Sequence, residues 1–265
     1  MVSRRVVRRR RQVLAGAAGV LALVAVLGVR AGEDAEPAPA AVRPPAATAP
    51  APAPAPASPP PTTTPAPTPE AAPDPDVLAG VLAPEVPRAG TGRRATVPGT
   101  TPAAPGPDGA AVVQVRVQVE EGLPADGPAV ARTVMDVLHD PRGWGRDGWA
   151  FARTDDAEGS AAADVTVVVA SPDLTDELCA PLRTRGTLSC RNGDLVVLTW
   201  HRWVGGAEAY GDDRATYRQY LVSHEVGHFL GHGHEPCPAP GAPAPVMLQQ
   251  TIGLQGCAAN PWPNP

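Results

Sequence analysis

The stretch "HEVGHFLGHGH", from His224 to His234, contains four of the six histidines of this 265-residue chain. Apolar residues form two stripes with helical spacing over residues 214–231, which is typical of a helix that is largely buried. Asp212 or Asp213 can cap this helix, and the sequence predicts that it runs from about Arg214 to Gly231. Most of the histidine-rich stretch therefore lies on a buried helix.

The spacing of these histidines predicts a metal site. His224 and His228 are four residues apart, so they project from the same helix face about one turn from each other. Gly231 can adopt the left-handed backbone that ends a helix, which lets the chain turn and His234 fold back as a third ligand. Three protein ligands leave a fourth position for water, as a catalytic zinc site requires. His232 lies in the same glycine-rich turn and is an alternative third ligand.

Glu225 completes the pattern H-E-x-x-H-x-x-G-x-x-H, in which the glutamate acts as a general base beside zinc. At the chain's own residue frequencies, a chance match to the full pattern has odds on the order of one in 10⁵. The pattern predicts Zn²⁺ as the cofactor. The expected reaction is hydrolysis of a peptide bond by a zinc-bound water that Glu225 activates, which makes the protein a zinc metallopeptidase.

The extended motif resembles that of the metzincin zinc metalloproteases, whose name refers to a methionine-containing turn beneath the metal. The sequence "APAPVMLQQT" places Met247 after the motif at a distance that suits this turn. The resemblance implies an α+β domain with a mixed sheet, a buried active-site helix and an irregular C-terminal part. It also implies that an edge strand near Leu188–Trp200 pairs with an extended peptide substrate. Some metzincins have a tyrosine shortly after the methionine, but here no tyrosine follows Tyr220.

A closer resemblance is to the DUF3152 domain family, a group of actinobacterial envelope proteins. The segments "YRQYLVSHEVGHFLGHGHEPCP", "APVMLQQT" and "GLQGCAANPWP" carry this resemblance. It covers roughly residues 90–265 and is most specific near the C-terminus. The resemblance implies the same zinc site at His224, His228 and His234, and it supplies no substrate.

The N-terminus has the layout of an export signal. Six arginines between Arg4 and Arg11 precede an uncharged apolar run from Val13 to Val29. Because arginines stay on the cytoplasmic side, we expect residues 1–30 to form a cytoplasmic tail and a signal-anchor helix. The protein would then cross the cell membrane once, with its C-terminal domain extracytoplasmic. A cleaved signal, with secretion of the remainder, is the alternative.

Residues 31–87 are rich in proline, alanine and threonine, as in "TAPAPAPAPASPPPTTTPAPTP". Such a composition cannot bury a core, and it predicts a disordered stalk of polyproline type. Composition then changes, and residues 88–265 are predicted to form one globular domain.

The charge balance excludes some partners. The chain has 22 basic and 27 acidic residues, and its first thirty residues contain seven arginines and no acid. The remainder therefore has 15 basic and 27 acidic residues, a net charge of −12. Such an acidic domain is a poor candidate for binding nucleic acid. The expected partners are a peptide or protein substrate and, through the N-terminal helix, the membrane.

The sequence of the globular region predicts an α+β domain. The alternating sequence "AVVQVRVQVEE" predicts a half-buried strand over Ala111–Glu121. A helix is predicted over Gly127–Asp140 and another strand over Ala163–Ser171. The pair Asn192-Gly193 within Leu188–Trp200 predicts a β-hairpin. Little regular structure is expected after Gly231, where proline and glycine are frequent.

The cysteines Cys179, Cys190, Cys237 and Cys257 are even in number, which in an exported chain predicts two disulfides. Three pairings are possible. The sequence favours Cys179–Cys190 and Cys237–Cys257, because each of these closes a local loop. The second bridge would bracket the Met247 turn and hold the floor of the site.

The leading prediction from the sequence is an exported zinc endopeptidase. A non-catalytic zinc-containing envelope binding module is the rival from another functional class. A zinc amidase acting on cell-wall peptides is a third possibility. The presence of Glu225 favours the two enzyme interpretations, because a binding module has no need of a general base.

Overall fold

The computed structural model describes residues 73–156 and 162–265 of the chain. The predicted cytoplasmic tail, the signal-anchor helix and most of the predicted stalk lie outside these residues. Within the described part of the chain, no helix is both long enough and apolar enough to cross a membrane.

The described strands form a mixed sheet with helices on both faces, which confirms the α+β class predicted from the sequence. The strands are β1 (Arg94–Thr96), β2 (Ala111–Glu120), β3 (Trp149–Arg153), β4 (Val165–Ala170), β5 (Cys190–Asn192) and β6 (Leu195–Thr199). The α-helices are α1 (Pro75–Leu78), α2 (Gly127–His139), α3 (Pro172–Cys179), α4 (Trp200–Gly205) and α5 (Arg214–Leu230). Two single turns of 3₁₀ helix cover Trp144–Asp147 and Glu208–Tyr210.

The sheet order is β1-β2-β4-β6-β5, and β3 pairs with the first half of β2. Strands β2, β3, β4 and β6 are parallel to one another. Strand β1 is antiparallel to β2, and β5 is antiparallel to β6. Strand β5 therefore ends the sheet on the side opposite β1.

One face of the sheet forms the main core. Val113, Val115 and Val117 of β2 are fully buried, whereas the residues between them are only partly buried. This pattern confirms the predicted half-buried strand. Helices α2 and α5 contribute the other side of this core. Each valine that is fully buried in this way stabilises the fold by roughly 1.5 kcal/mol or more.

The opposite face carries a smaller cluster around α3. Leu174 packs there with Val168 and Val197 and with the disulfide Cys179–Cys190. The Ser171 hydroxyl accepts a hydrogen bond from the Leu174 amide and caps α3. This short helix was not predicted from the sequence.

The β5–β6 hairpin was predicted, but its turn lies one residue later than expected. Asn192 pairs with Leu195, so the two turn residues are Gly193 and Asp194. The Asn192 side chain instead donates hydrogen bonds to the Leu178 and Ala180 carbonyls at 2.9 and 3.0 Å. It thereby satisfies carbonyl groups at the end of α3, which accounts for its position in the strand.

Helix α5 closely matches the predicted helix. The Asp213 side chain accepts a hydrogen bond from the Thr216 amide at 3.0 Å and caps its start. Gly231 has a φ of 102° at its end. The amides of Gly231 and His232 donate to carbonyls of the last helical turn, which is a Schellman motif.

The packed region begins ahead of residue 88, where the sequence analysis placed the start of the domain. Ala79 and Val81 are buried in the main core. The Trp203 indole donates a hydrogen bond to the Ala79 carbonyl at 3.0 Å. Asp76 forms an ion pair at 2.6 Å with Arg218, whose side chain is almost fully buried in α5. The last residues of the predicted stalk are therefore part of the folded unit.

Residues 231–265 contain no helix or strand and are joined by the disulfide Cys237–Cys257. The structure thus contains both of the cysteine pairings that the sequence favoured. Met247, Leu248 and Gln250 are almost fully buried in this segment, although its backbone is irregular.

Candidate metal centre

Helix α5 and the turn after it bring three histidines together. The ring centroids of His224 and His228 lie 4.7 Å apart. The ring centroid of His234 lies 5.4 Å from that of His224 and 4.7 Å from that of His228. One ring nitrogen of each histidine lies within 4.8 Å of those of the other two. The Nε2 atoms of His228 and His234 are 3.1 Å apart. The three residues predicted as ligands therefore converge.

The backbone orients two of the three rings. His224 Nδ1 lies 2.8 Å from the Val246 carbonyl, and His228 Nδ1 lies 2.9 Å from the His232 carbonyl. A carbonyl oxygen only accepts hydrogen bonds, so each Nδ1 carries the proton. Nε2 is then the atom with a free lone pair, and it is available to a metal ion.

Burial keeps the three imidazoles neutral. It lowers the pKa of His224 to about 3 and lowers the pKa values of His228 and His234 as well. Neutral imidazole is the form that binds a metal, so the site needs little proton release at neutral pH. In a tetrahedral zinc site, ligand nitrogens are roughly 3.4 Å apart, close to the separation of the two Nε2 atoms above. The cluster fits a metal ion in both chemistry and spacing.

Glu225 lies beside these ligands in the floor of a cleft. Its side chain is 6% exposed, and it forms no hydrogen bond or ion pair with the described part of the chain. Burial raises the pKa of Glu225 to about 8. A cation bound at the histidines would lower this pKa again, because it favours the charged carboxylate. The position therefore suits a group that accepts and releases a proton.

The structure brings His234, and not His232, to the two helical histidines. The His232 ring stacks on Trp144, with ring centroids 4.5 Å apart. The Trp144 indole in turn donates a hydrogen bond to the Ser223 carbonyl at 2.9 Å. The carbonyl of His232 accepts from His228. His232 thus supports the site through its backbone carbonyl. This role was not predicted, because no sequence pattern indicates which carbonyl will orient a histidine ring.

Met247 lies against the middle of α5. It is 1% exposed. A Cβ atom on Gly227 would lie 2.5 Å from the Met247 sulfur and 2.7 Å from the Trp144 ring. Gly227 stands between the two helical histidines, so its missing side chain allows the methionine turn to approach the helix. Gly231, the other predicted glycine, supplies the turn described above.

A network of buried polar groups ties the methionine turn to α5. The Tyr220 hydroxyl donates to the Leu248 carbonyl and accepts from the Gln250 amide, both at 2.9 Å. The side-chain oxygen Oε1 of Gln250 accepts from the Tyr210 hydroxyl at 2.8 Å and from the Asn260 backbone amide at 3.1 Å. Burial raises the pKa of Tyr220 far above its usual value, so the hydroxyl keeps its proton.

The histidines open into a cleft of about 710 Å³. One wall consists of residues 182–184 and 188–191, the last two of which belong to β5. The other wall consists of residues 231–234 with Gln249, Thr251 and Ile252, and α5 supplies the floor with Tyr220 and Glu225. Edge strand β5 therefore borders the candidate metal centre, and its pairing with a substrate stays a prediction.

Comparisons with known proteins identify a family. No curated protein and no solved structure matches the chain. Residues 82–265 match the family model described as "Protein of unknown function (DUF3152)". Since this match covers more than half of the chain, including the whole metal centre, the protein belongs to the DUF3152 family.

Proposed function

We propose that the protein is an exported zinc-dependent endopeptidase with a metzincin-like catalytic domain. One observation carries this proposal. Three neutral imidazoles converge in an open cleft, and a buried carboxylate without a hydrogen-bond partner in the described chain lines the same cleft. This combination is typical of a hydrolytic metal site, because a purely structural site is usually closed by a fourth protein ligand.

The donor set favours zinc. His224, His228 and His234 would hold the ion, and imidazole nitrogen is a preferred zinc ligand. A zinc ion bound there would lower the pKa of a water toward neutrality and polarise the carbonyl of the scissile bond.

Glu225 would act as the general base and acid. Its carboxylate lies in the floor of the cleft, where it can accept a proton from the attacking water and deliver it to the leaving amine. The low exposure of the side chain excludes bulk water, which strengthens the electrostatic interactions of the reacting groups. No second acid lines the cleft in the described part of the chain, so both proton transfers are assigned to Glu225.

The shape of the cleft supports an extended peptide as substrate. Strand β5 borders the cleft and, within the described sheet, pairs only with β6. Its outer edge can therefore form main-chain hydrogen bonds with a substrate in β conformation.

Several features support the metzincin-like assignment and the export. The third histidine follows a glycine turn, and the buried Met247 packs against Gly227 between the helical ligands. The two disulfides agree with an oxidising location outside the cytoplasm. The membrane anchor and the stalk predicted from residues 1–87 would hold the domain at the cell surface.

The proposal is tested with the intact protein and its Glu225→Ala variant. Elemental mass spectrometry should find about one zinc per chain in both proteins after dialysis without chelator. A peptide library should be cleaved by the parent, whereas the variant should lose at least about a thousandfold in rate. Glu208→Ala, which removes an exposed glutamate outside the cleft, should leave the rate unchanged. Equal cleavage by Glu225→Ala, or a folded parent that takes up no zinc, would refute the proposed function.

A further inference from the structure

Two arginines line one wall of the cleft. Arg183 and Arg191 belong to the wall formed by residues 182–184 and 188–191. Arg183 is exposed and forms no ion pair with the described residues, and Arg191 is half-buried. Glu225 in the floor is the only acid among the described residues that line the cleft, and no charged side chain lies on the opposite wall. The cleft therefore has one cationic wall and one neutral wall.

This cationic wall contrasts with the rest of the chain. Beyond its first thirty residues, the chain has 15 basic and 27 acidic residues. A local excess of arginine inside a cleft attracts anionic groups, because the low-dielectric walls concentrate the electric field there. The arginines are thus placed where an anionic part of a ligand would meet the opposite charge.

Arg191 is close to the metal centre and is held by the fold. Burial is the main cause of the lowered pKa of His228, and the positive charge of Arg191 contributes to it. Arg191 occupies β5 directly after Cys190, which is bonded to Cys179, and it pairs with Val196 across the hairpin. The backbone of Arg191 is therefore held by the sheet and by the neighbouring disulfide.

We propose that Arg183 and Arg191 select substrates that carry a carboxylate beside the reacting bond. This inference rests on the proposed function, because it concerns the substrate of the same site. Arginine suits the task, since its planar guanidinium pairs with a carboxylate through two parallel hydrogen bonds. The carboxylate belongs either to an acidic side chain of a peptide or to a free C-terminus. Both sources share the chemistry that the arginine wall recognises.

The first experiment compares matched fluorogenic peptides with the intact protein. Peptides with glutamate or glutamine at each position near the scissile bond, and with free or amidated C-termini, are assayed for kcat/KM. The carboxylate form should be preferred by at least about fivefold, and the preference should decrease as salt is added. A preference for glutamate identifies an acidic side chain, and a preference for the free C-terminus identifies a terminal carboxylate.

Variants test whether the arginines cause this preference. Arg183→Gln and Arg191→Gln should each reduce it, and the double variant should abolish it. Arg185→Gln is the matched control, because Arg185 is an exposed arginine of the same segment that does not line the cleft. Arg191→Lys keeps the charge and should keep part of the preference even if Arg191→Gln folds poorly. A preference that survives in the folded double variant overturns the assignment.

A binding assay separates this inference from the proposed function. Fluorescence anisotropy measures the affinity of zinc-loaded Glu225→Ala for the glutamate and glutamine peptides. Arginine-dependent binding of acidic peptides, without cleavage of any peptide by the parent, supports the arginine wall and refutes the peptidase. Cleavage without a charge preference supports the peptidase and refutes the wall. If no peptide is either cleaved or bound, both proposals fail.

Discussion

Helix α5 and the C-terminal segment 231–265 contribute to the same candidate metal centre, but they are built in opposite ways. Helix α5 is a regular element with a cap at each end, and its spacing alone puts His224 and His228 on one face. The C-terminal segment has no helix or strand, yet it positions His234 and Met247. Two ligands are thus set by local geometry, and the third depends on distant contacts.

The C-terminal segment adds buried side-chain hydrogen bonds to a few backbone pairings, such as those of Ala258 with Ala242 and Ala244. The side-chain nitrogen Nε2 of Gln250 donates to the Asn260 backbone carbonyl at 2.7 Å. The side-chain nitrogen Nδ2 of Asn260 donates to the Ala244 and Trp262 backbone carbonyls at 2.8 Å. Both side chains are buried, so each missing bond would leave an unsatisfied polar group. The comparison teaches that a segment without helices or strands can still be fixed in place by buried side chains that bond to its backbone.

The largest expected effect is a loss of zinc affinity when one candidate ligand is removed from α5 or from the C-terminal segment. His228→Ala and His234→Ala should each lower zinc affinity by about a thousandfold, because each removes one of three ligands. His232→Ala is the control and should change the affinity little, since its ring stacks on Trp144. Competition with a chromophoric chelator measures all three affinities. A normal affinity in His234→Ala with a weakened His232→Ala would mean that the third ligand is His232.

A second prediction concerns the cost of burying Glu225 in α5. Its pKa in the folded protein is about 8, above the ordinary 4.5, so the folded state binds the extra proton between these pH values. Titration of Glu225 alone should therefore lower the stability of the metal-free parent by at most about 4 kcal/mol as the pH rises from about 5 to 8. The three histidines have lowered pKa values and act in the opposite direction at the acidic end of this range, in the parent and in a Glu225 variant alike. Glu225→Gln removes this titration, so the metal-free variant should exceed the parent in stability, and more at pH 8 than at pH 5.

Urea unfolding in the presence of a chelator measures this difference. Adding zinc should reduce it, because a cation beside Glu225 favours the carboxylate. A stability difference that does not vary with pH would show that the carboxyl titrates normally.

A third prediction compares the effects of removing each disulfide on stability and on zinc affinity. Replacing either pair of cysteines by alanine should destabilise the protein by about 3 kcal/mol. Only the loss of Cys237–Cys257 should also weaken zinc binding, by about tenfold, because this bridge restrains the segment that carries Met247 and follows His234. Thermal unfolding and the chelator assay report the two quantities separately. Equal zinc affinities in the two variants would show that side-chain hydrogen bonds suffice to hold the third ligand.

The smallest expected effect is at the contact between the two regions. Gly227→Ala should improve helix propensity but force the new methyl group into Met247, for a net loss of about 2 kcal/mol. Gly205→Ala in α4 is the control, because a Cβ atom there meets nothing within 4 Å. That variant should be neutral or slightly stabilised. A stable Gly227→Ala protein would mean that the methionine turn can move away from α5.

Prediction from the sequence succeeded where local patterns are strong. The alternation in β2 and the helical spacing and glycine cap of α5 gave bounds within about one residue of those observed. Prediction missed β3 and α3, because the short sequences "WAFAR" and "PDLTDELC" lack a long period. The start of the folded unit was predicted at residue 88 because the residues before it are rich in proline. The structural role of Asp76 there depends on an ion pair with Arg218, which is distant in the sequence.

The sequence by itself determined the spacing of the histidines and of Glu225 and the helix that presents them, because all of these depend on spacing within a few residues. Only the tertiary structure decided that His234 and not His232 completes the cluster, since both follow the same glycine turn. The tertiary structure also places Trp144, Gln250, Arg183 and Arg191 around the site. These contacts join residues far apart in the chain, and no local periodicity encodes which of them will meet.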